Sequence, residues 1–182
     1  MIKRLRPVYS DKELKTMYSK QYDTDLWEDH RIRIRESIRF IQENINNISS
    51  GADLSCGDGK ILDAIDMESK YYGDFTGPYE FIGKLEDTIN LIDNVDLYIC
   101  SETLEHLDSP VECLKLIREK TKYLFISTPV NRFDDDNPQH YWAWDFDGIK
   151  YILECAGFEI INSEVLELEK EHYYDFQLVY CK

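Results

Sequence analysis

The stretch Gly51–Lys60, GADLSCGDGK, leaves a chain of this kind few folds to choose from. A short apolar run ends in Asp53, a turn of small residues follows, and Lys60-Ile61-Leu62-Asp63-Ala64-Ile65 takes up a helical rhythm. Strand, glycine loop and helix in that order make a nucleotide-type ligand site at the mouth of a doubly wound sheet. Two glycines between a strand and a helix also make a plain tight turn, so the loop needs support from elsewhere in the chain. Gly57 and Gly59 carry no side chain to bar a ligand or to forbid unusual dihedrals. Asp53 is placed to hydrogen-bond polar or cationic ligand groups, directly or through the loop.

The support comes at sensible distances. Tyr71-Tyr72-Gly73-Asp74 reads as a second strand ending in an acid. Val95 to Ser101 reads as a fourth strand, running into Glu102-Thr-Leu-Glu-His-Leu107, and Lys122 to Pro129 as a fifth. Upstream, Ile34, Ile38, Ile41, Ile45 and Ile48 recur at helical intervals, so a helix from Trp27 to about Asn46-Asn47 should pack beside the first strand. Residues 11–20 read as a shorter helix, and Gln21-Tyr-Asp-Thr-Asp25 as a polar hinge. With 182 residues and no repeat or low-complexity linker, one domain is expected, 1–182, with 1–48 a helical, basic N-terminal segment and 49–182 the core.

Together these stretches resemble the class I S-adenosylmethionine-dependent methyltransferases, from about Trp27 to the end of the chain. The resemblance implies an α/β Rossmann-like, mostly parallel sheet with an antiparallel C-terminal strand and strand order 3-2-1-4-5-7-6. It implies S-adenosylmethionine as cofactor, S-adenosylhomocysteine as product, and Asp53, Ser55, Cys56, Gly57 and Gly59 in the cofactor loop. The first glycine of the usual loop is replaced by Ser55. Asp74 falls where relatives hold both ribose hydroxyls, a task that suits two acceptor oxygens. The helix N-terminus after the loop would direct its dipole at a ligand carboxylate. Leu85 and Glu86 are the candidates for the adenine side, because Lys84 stands where relatives carry an acid. Ser101 and Glu102 should face the reacting centre.

The chain also departs from the pattern. A parallel crossover needs a dozen or more residues, yet only Phe75-Thr-Gly-Pro78 separates Asp74 from the next strand-like run, Tyr79-Glu-Phe-Ile82. The crossover helix is therefore missing, and the third strand is expected to be antiparallel, displaced or absent. Farther on, Ser109 with Glu112 suggests a capping box, reinforced by Pro110 at the first helical position. The polar loop Arg132–Gln139 with His140-Tyr-Trp-Ala-Trp144 reads as a substrate lid, Trp144 belonging to the core. Ile149, Ile152, Leu153 and Ala156 mark the last helix, and Phe158–Leu168 and Tyr173–Cys181 a terminal antiparallel pair.

Methyl transfer from a sulfonium is an in-line displacement that mostly demands alignment at about 3 Å. A base helps when the acceptor must lose a proton, and His106 and His140 are the catalytic candidates. No metal is assigned in this reading. An alternative does use one: Glu102-x-x-Glu105-His106 with His140 is similar to the metal-holding pattern of small-RNA 3′-end 2′-O-methyltransferases. A third reading is a catalytically degenerate binding or partner subunit.

Composition narrows the acceptor. With 21 basic and 36 acidic residues the net charge is −15, which disfavours a polyanion such as nucleic acid. Residues 1–40 are the exception, with ten Lys or Arg against seven Asp or Glu. Arg31, Arg33, Arg35 and Arg39 are read there as a solvated helix face, with a basic lid over an anionic substrate as the alternative. No Asn-Pro-Pro-Tyr-like motif or Pro-Cys nucleophile of base-methylating enzymes is present. The acceptor expected is a small molecule, methylated on oxygen or nitrogen. The five cysteines are odd in number and lack any CxxC pairing, which suggests reduced thiols and a cytoplasmic protein. No apolar run suits a signal peptide or a membrane span.

Overall fold

The computed structural model describes residues 1–20, 23–168 and 174–182. Its helices are α1 (Asp11–Met17), α2 (Glu28–Asn44), α3 (Lys60–Asp63), α4 (Leu85–Thr88), α5 (Pro110–Lys120) and α6 (Phe146–Cys155). Its strands are β1 (Ile2–Arg4), β2 (Ser50–Asp53), β3 (Ser69–Asp74), β4 (Phe81–Ile82), β5 (Val95–Ser101), β6 (Thr121–Val130), β7 (Trp142–Trp144), β8 (Ile160–Leu166) and β9 (Asp175–Cys181). The central strands are apolar almost throughout, so both faces of the sheet must be covered. Side chains divide between the faces with period two. Leu97 and Ile99 pack with Ile34, Phe40, Ile41, Ile61 and Leu62, under α2 and α3. Tyr98 and Cys100 pack with Leu85, Leu114, Ile117, Ile149 and Ile152, under α4, α5 and α6.

The large sheet has seven strands in the order β4-β3-β2-β5-β6-β9-β8. β2 to β6 run parallel, and β9 lies antiparallel between β6 and β8. This is an α/β Rossmann-like mixed sheet. No helix among the described residues is long and apolar enough to cross a membrane.

Several expectations are corrected. The third strand is present and parallel: β4 pairs with β3 through Gly73↔Phe81 and Asp74↔Ile82. Its connection, Phe75–Glu80, holds no helix. Six residues suffice because β4 starts opposite the last residues of β3, so the chain need not retrace the length of a strand. Tyr79 and Glu80 precede the strand instead of joining it. The helix after the glycine loop is one turn, α3, which is too short for the dipole argument. Ser109 is the N-cap of α5 with Pro110 in the first turn, but its side chain makes no capping bond, and Glu112 pairs with Lys115 at 2.8 Å. The capping box lies at α1, where Ser10 and Glu13 satisfy each other. The helix from Trp27 stops at Asn44, and Asn47 takes a left-handed φ of 58°. The terminal pair is shorter than expected. Its Tyr173 and the hinge residues Gln21 and Tyr22 lie outside the described residues.

Candidate active site

The carboxyl ends of β2, β3 and β5 open into one cleft of about 350 Å³, and of the residues expected to bind cofactor or act in catalysis all but Gly59 line it. Its floor is the glycine loop. Gly57 (φ 58°) and Gly59 (φ 78°) have left-handed backbones, where a side chain costs strain. A Cβ on Gly57 would meet nothing within 4 Å and would project into open space. Cys56 N–H donates to Gly73 O at 3.0 Å and Gly59 N–H to Cys56 O at 2.8 Å. Asp53, 3% exposed, acts through the loop: its Oδ1 accepts from Ser55 N–H at 3.0 Å and Ser55 Oγ at 3.3 Å. Ser55 Oγ also lies 2.7 Å from Thr103 Oγ1. The serine that replaces a glycine thus ties the loop to the segment after β5. Burial pushes the Asp53 carboxyl up to about 7, and the nearby Asp74 charge adds to this.

Asp74 closes the loop from β3. It accepts Gly57 N–H at 2.7 Å on Oδ2 and Phe75 N–H at 2.6 Å on Oδ1. The Thr76 N–H also bonds this carboxylate, which leaves part of its acceptor capacity for a ligand hydroxyl. Burial raises this carboxyl as well. The short crossover contributes Tyr79, whose hydroxyl donates to Gly57 O at 2.7 Å and whose ring stacks on Tyr72 at 16°. Burial pushes the Cys56 thiol up, which disfavours the nucleophilic thiolate. Leu85 and Glu86 line the same cleft, and Lys84 there is held by Asp11 at 2.6 Å.

The N-terminal segment roofs the cleft with Val8, Leu14, Met17 and Tyr18. Lys60 Nζ fastens it to the loop, contacting Asp25 at 2.7 Å and Asp58 at 2.9 Å. One member of the supposed solvated arginine face is buried here. Arg33, 4% exposed, donates to Ser101 Oγ and, at 3.2 Å, to Ser127 Oγ. Its Nε lies 4.0 Å from Glu102 Oε1. The other three, Arg31, Arg35 and Arg39, make outward ion pairs with Glu28, Glu36, Glu43 and Glu164. The signal for Arg33 was its place beside Ile34, on the stripe that also buries Ser37, Phe40 and Ile41.

Glu102 follows β5 with φ 51°, a strained value for a residue with a side chain. Burial raises its carboxyl strongly, Glu105 adds to this, and Arg33 opposes it. Glu105, 1% exposed, points inward, where its Oε2 accepts from Thr128 Oγ1 at 3.0 Å. His106 Nδ1 bonds Gln139 O at 3.0 Å. A carbonyl only accepts, so Nδ1 carries the proton and Nε2 the lone pair. Burial pushes this ring down to about 3, with His140 adding to the effect, which makes it a weak proton acceptor.

The loop expected to form a lid is tied down by hydrogen bonds in this structure. Asp135 accepts from His140 Nδ1 at 2.6 Å, Asn137 N–H at 2.8 Å and the Tyr174 hydroxyl at 3.0 Å. Burial favours the neutral Asp135 carboxyl, but these bonds outweigh it and hold the group below the usual range. Trp142–Trp144 pair with Ile2–Arg4, and Trp144 is 1% exposed, with its indole N–H on Thr128 Oγ1 at 3.2 Å. Arg33, Thr103, Tyr79 and Asp135 are the site residues that pattern reading missed. Arg33 is recruited from a distant segment, whereas Thr103, Tyr79 and Asp135 lie close in sequence to Glu102, Asp74 and His140.

No protein-family model and no curated protein matches the sequence. Solved structures do match the fold. The 1,6-didemethyltoxoflavin-N1-methyltransferase of Burkholderia thailandensis, solved with 1,6-didemethyltoxoflavin and S-adenosylhomocysteine, has a TM-score of 0.70 at 14% identity, over 99% of this chain and 93% of that one. The N-methyltransferase NodS of Bradyrhizobium japonicum, solved with S-adenosylhomocysteine, gives 0.68 at 10% identity, over 94% and 98%. A Leishmania major S-adenosylmethionine-dependent methyltransferase gives 0.67 at 14% identity, over 85% and 74%. The chain has the fold of the class I S-adenosylmethionine-dependent methyltransferases.

Proposed function

We propose that the chain binds S-adenosylmethionine in this cleft and transfers its methyl group to an oxygen or nitrogen of a small-molecule acceptor. The observation that carries the reading is the Ser55–Gly59 loop, held open over the buried Asp53 and the half-buried Asp74, at the carboxyl ends of β2 and β3. Asp74 would take the ribose hydroxyls, and the backbone of Cys56, Gly57 and Gly59 the amino-acid tail. Leu85 and Glu86 would flank the adenine, while Ser101 and Glu102 face the sulfonium. The acceptor then enters beneath Tyr18, beside Arg33, His106 and His140, all of which line the cleft. Transfer breaks the methyl carbon–sulfur bond as the acceptor lone pair forms the new one, and the sulfonium leaves as a neutral thioether. The chain's contribution is alignment and exclusion of water. A cleft roofed by the N-terminal segment and a net charge of −15 support a small acceptor over a polynucleotide.

Calorimetric titration with S-adenosylhomocysteine tests this. Saturable one-site binding is expected. Asp74→Ala should weaken it at least tenfold, and Gly57→Val should abolish it while the far-ultraviolet dichroism is kept. No heat of binding to the unmodified chain would leave the non-catalytic reading in its place.

A further inference from the structure

Three side chains beside the cleft lie together and are given no part in holding the cofactor. We propose that Glu105, His106 and His140 bind a divalent first-row transition-metal ion, and that the acceptor is a hydroxyl compound bound to that ion. The second half rests on the methyltransferase reading; the first does not.

One ligating atom from each residue lies within 4.8 Å of the other two. The Glu105 Oε1 to His106 Nε2 separation is 3.7 Å. Ligands at about 2.0–2.2 Å from an ion stand roughly 3–3.5 Å apart, so small side-chain rotations close the site. The remaining ring atoms are already committed. His106 Nδ1–H goes to Gln139 O at 3.0 Å and His140 Nδ1–H to Asp135 Oδ2 at 2.6 Å. A carbonyl or carboxylate on the far nitrogen is the arrangement that fixes tautomer and ring direction in metal-bound histidines.

Glu105 supplies an independent observation. Its residue is 1% exposed, Thr128 satisfies Oε2, and Oε1 is buried with no hydrogen-bond partner. Asn137 Nδ2, 3.2 Å from His140 Nε2, is the one contact that would have to give way. Charge points the same way, since the buried Glu105 and the largely buried Glu102 face the guanidinium of Arg33.

Two imidazoles and one carboxylate suit zinc, manganese, iron or cobalt, whereas calcium needs six to eight oxygens. Glu105 closes the site from behind while His106 and His140 line the cleft, so the open coordination positions face the acceptor. An ion there takes up a hydroxyl and lowers its pKa. The proton leaves to solvent, and the oxygen lone pair attacks the methyl carbon as the carbon–sulfur bond breaks onto sulfur.

The test uses the full chain stripped with EDTA and titrated with Co²⁺, followed by visible absorption, and with Mn²⁺ and Zn²⁺ by calorimetry. One equivalent is expected, weakened at least tenfold in His140→Ala and in His106→Gln. The second variant alters a partly exposed ring and keeps the test valid should the first not fold. Absence of saturable binding, or binding unchanged in His106→Gln, overturns the metal site. Catechol, a chelating hydroxyl probe, should shift the Co²⁺ bands; unshifted bands overturn the acceptor class. S-adenosylhomocysteine is titrated into the same preparation. A chain that binds S-adenosylhomocysteine but takes up no metal sinks this inference alone; one that takes up metal but binds no S-adenosylhomocysteine sinks the methyltransferase reading, and the acceptor half with it, and leaves the metal site standing.

Discussion

Asp53 lies beneath the glycine loop with its carboxyl pushed up to about 7 by burial, against an ordinary value near 4. A folded-state value above the unfolded one means a contribution fully present below about pH 4 and lost as the pH rises through 7. The ionised form therefore costs on the order of 4 kcal/mol above that range. Asp53→Asn keeps the acceptor for Ser55 N–H and removes the charge. Urea midpoints should show this variant gaining on the unmodified chain between pH 5 and pH 8, and parallel pH slopes would refute the account. Arg33 makes the opposite case, a charge whose removal strands its partners. Arg33→Met should lower stability by about 3 kcal/mol, because Glu102 stays buried without its counter-charge; a change within 0.5 kcal/mol, as at an exposed site, would return Arg33 to a surface role. Asp53 was legible from its place before two glycines. Arg33 was only faintly so, since its place beside Ile34 on the apolar stripe is outweighed by a basic segment that looks solvated until the sheet beneath it is known.

At the scale of elements, the short crossover depends on Gly73. A Cβ there would lie 2.7 Å from the Phe81 carbonyl oxygen and 2.9 Å from Leu54 Cδ2, so β4 can pair with β3 only because residue 73 has no side chain. Gly73→Ala should cost about 1–3 kcal/mol through overpacking and should weaken S-adenosylhomocysteine binding by displacing Asp74. Gly157, at φ 86° with nothing within 4 Å of its Cβ position, is the control. Gly157→Ala is expected to carry backbone strain alone and leave the affinity unchanged. Equal stability of Gly73→Ala and the unmodified chain would show that β4 can shift freely. The long periodic elements, α2 and β5, could be read from hydrophobic spacing. The one-turn α3 and two-residue β4 could not, because neither is long enough to carry a period.

For the whole molecule, the cleft joins the N-terminal segment, the glycine loop and the wall around Asp135, so a ligand bound there should add to stability. At a hundredfold excess over its Kd, S-adenosylhomocysteine should stabilise the native state by about 2.7 kcal/mol. In a domain of this size that raises Tm by roughly 5–10 °C, and a melting curve unmoved by saturating ligand would mean that the cleft binds something else. Local sequence by itself determined the order of the main elements, the two-sided burial of the sheet and the glycine loop at the cleft. Those features depend on residues adjacent in the chain or one helical turn apart, so pattern alone expresses them. Tertiary structure decided that β4 is parallel, that Arg33 is buried, that the aromatic segment is a wall pinned to the N-terminus, and that Glu105, His106 and His140 meet. Each is a meeting of segments distant along the chain, and only packing sets which of them come within bonding distance.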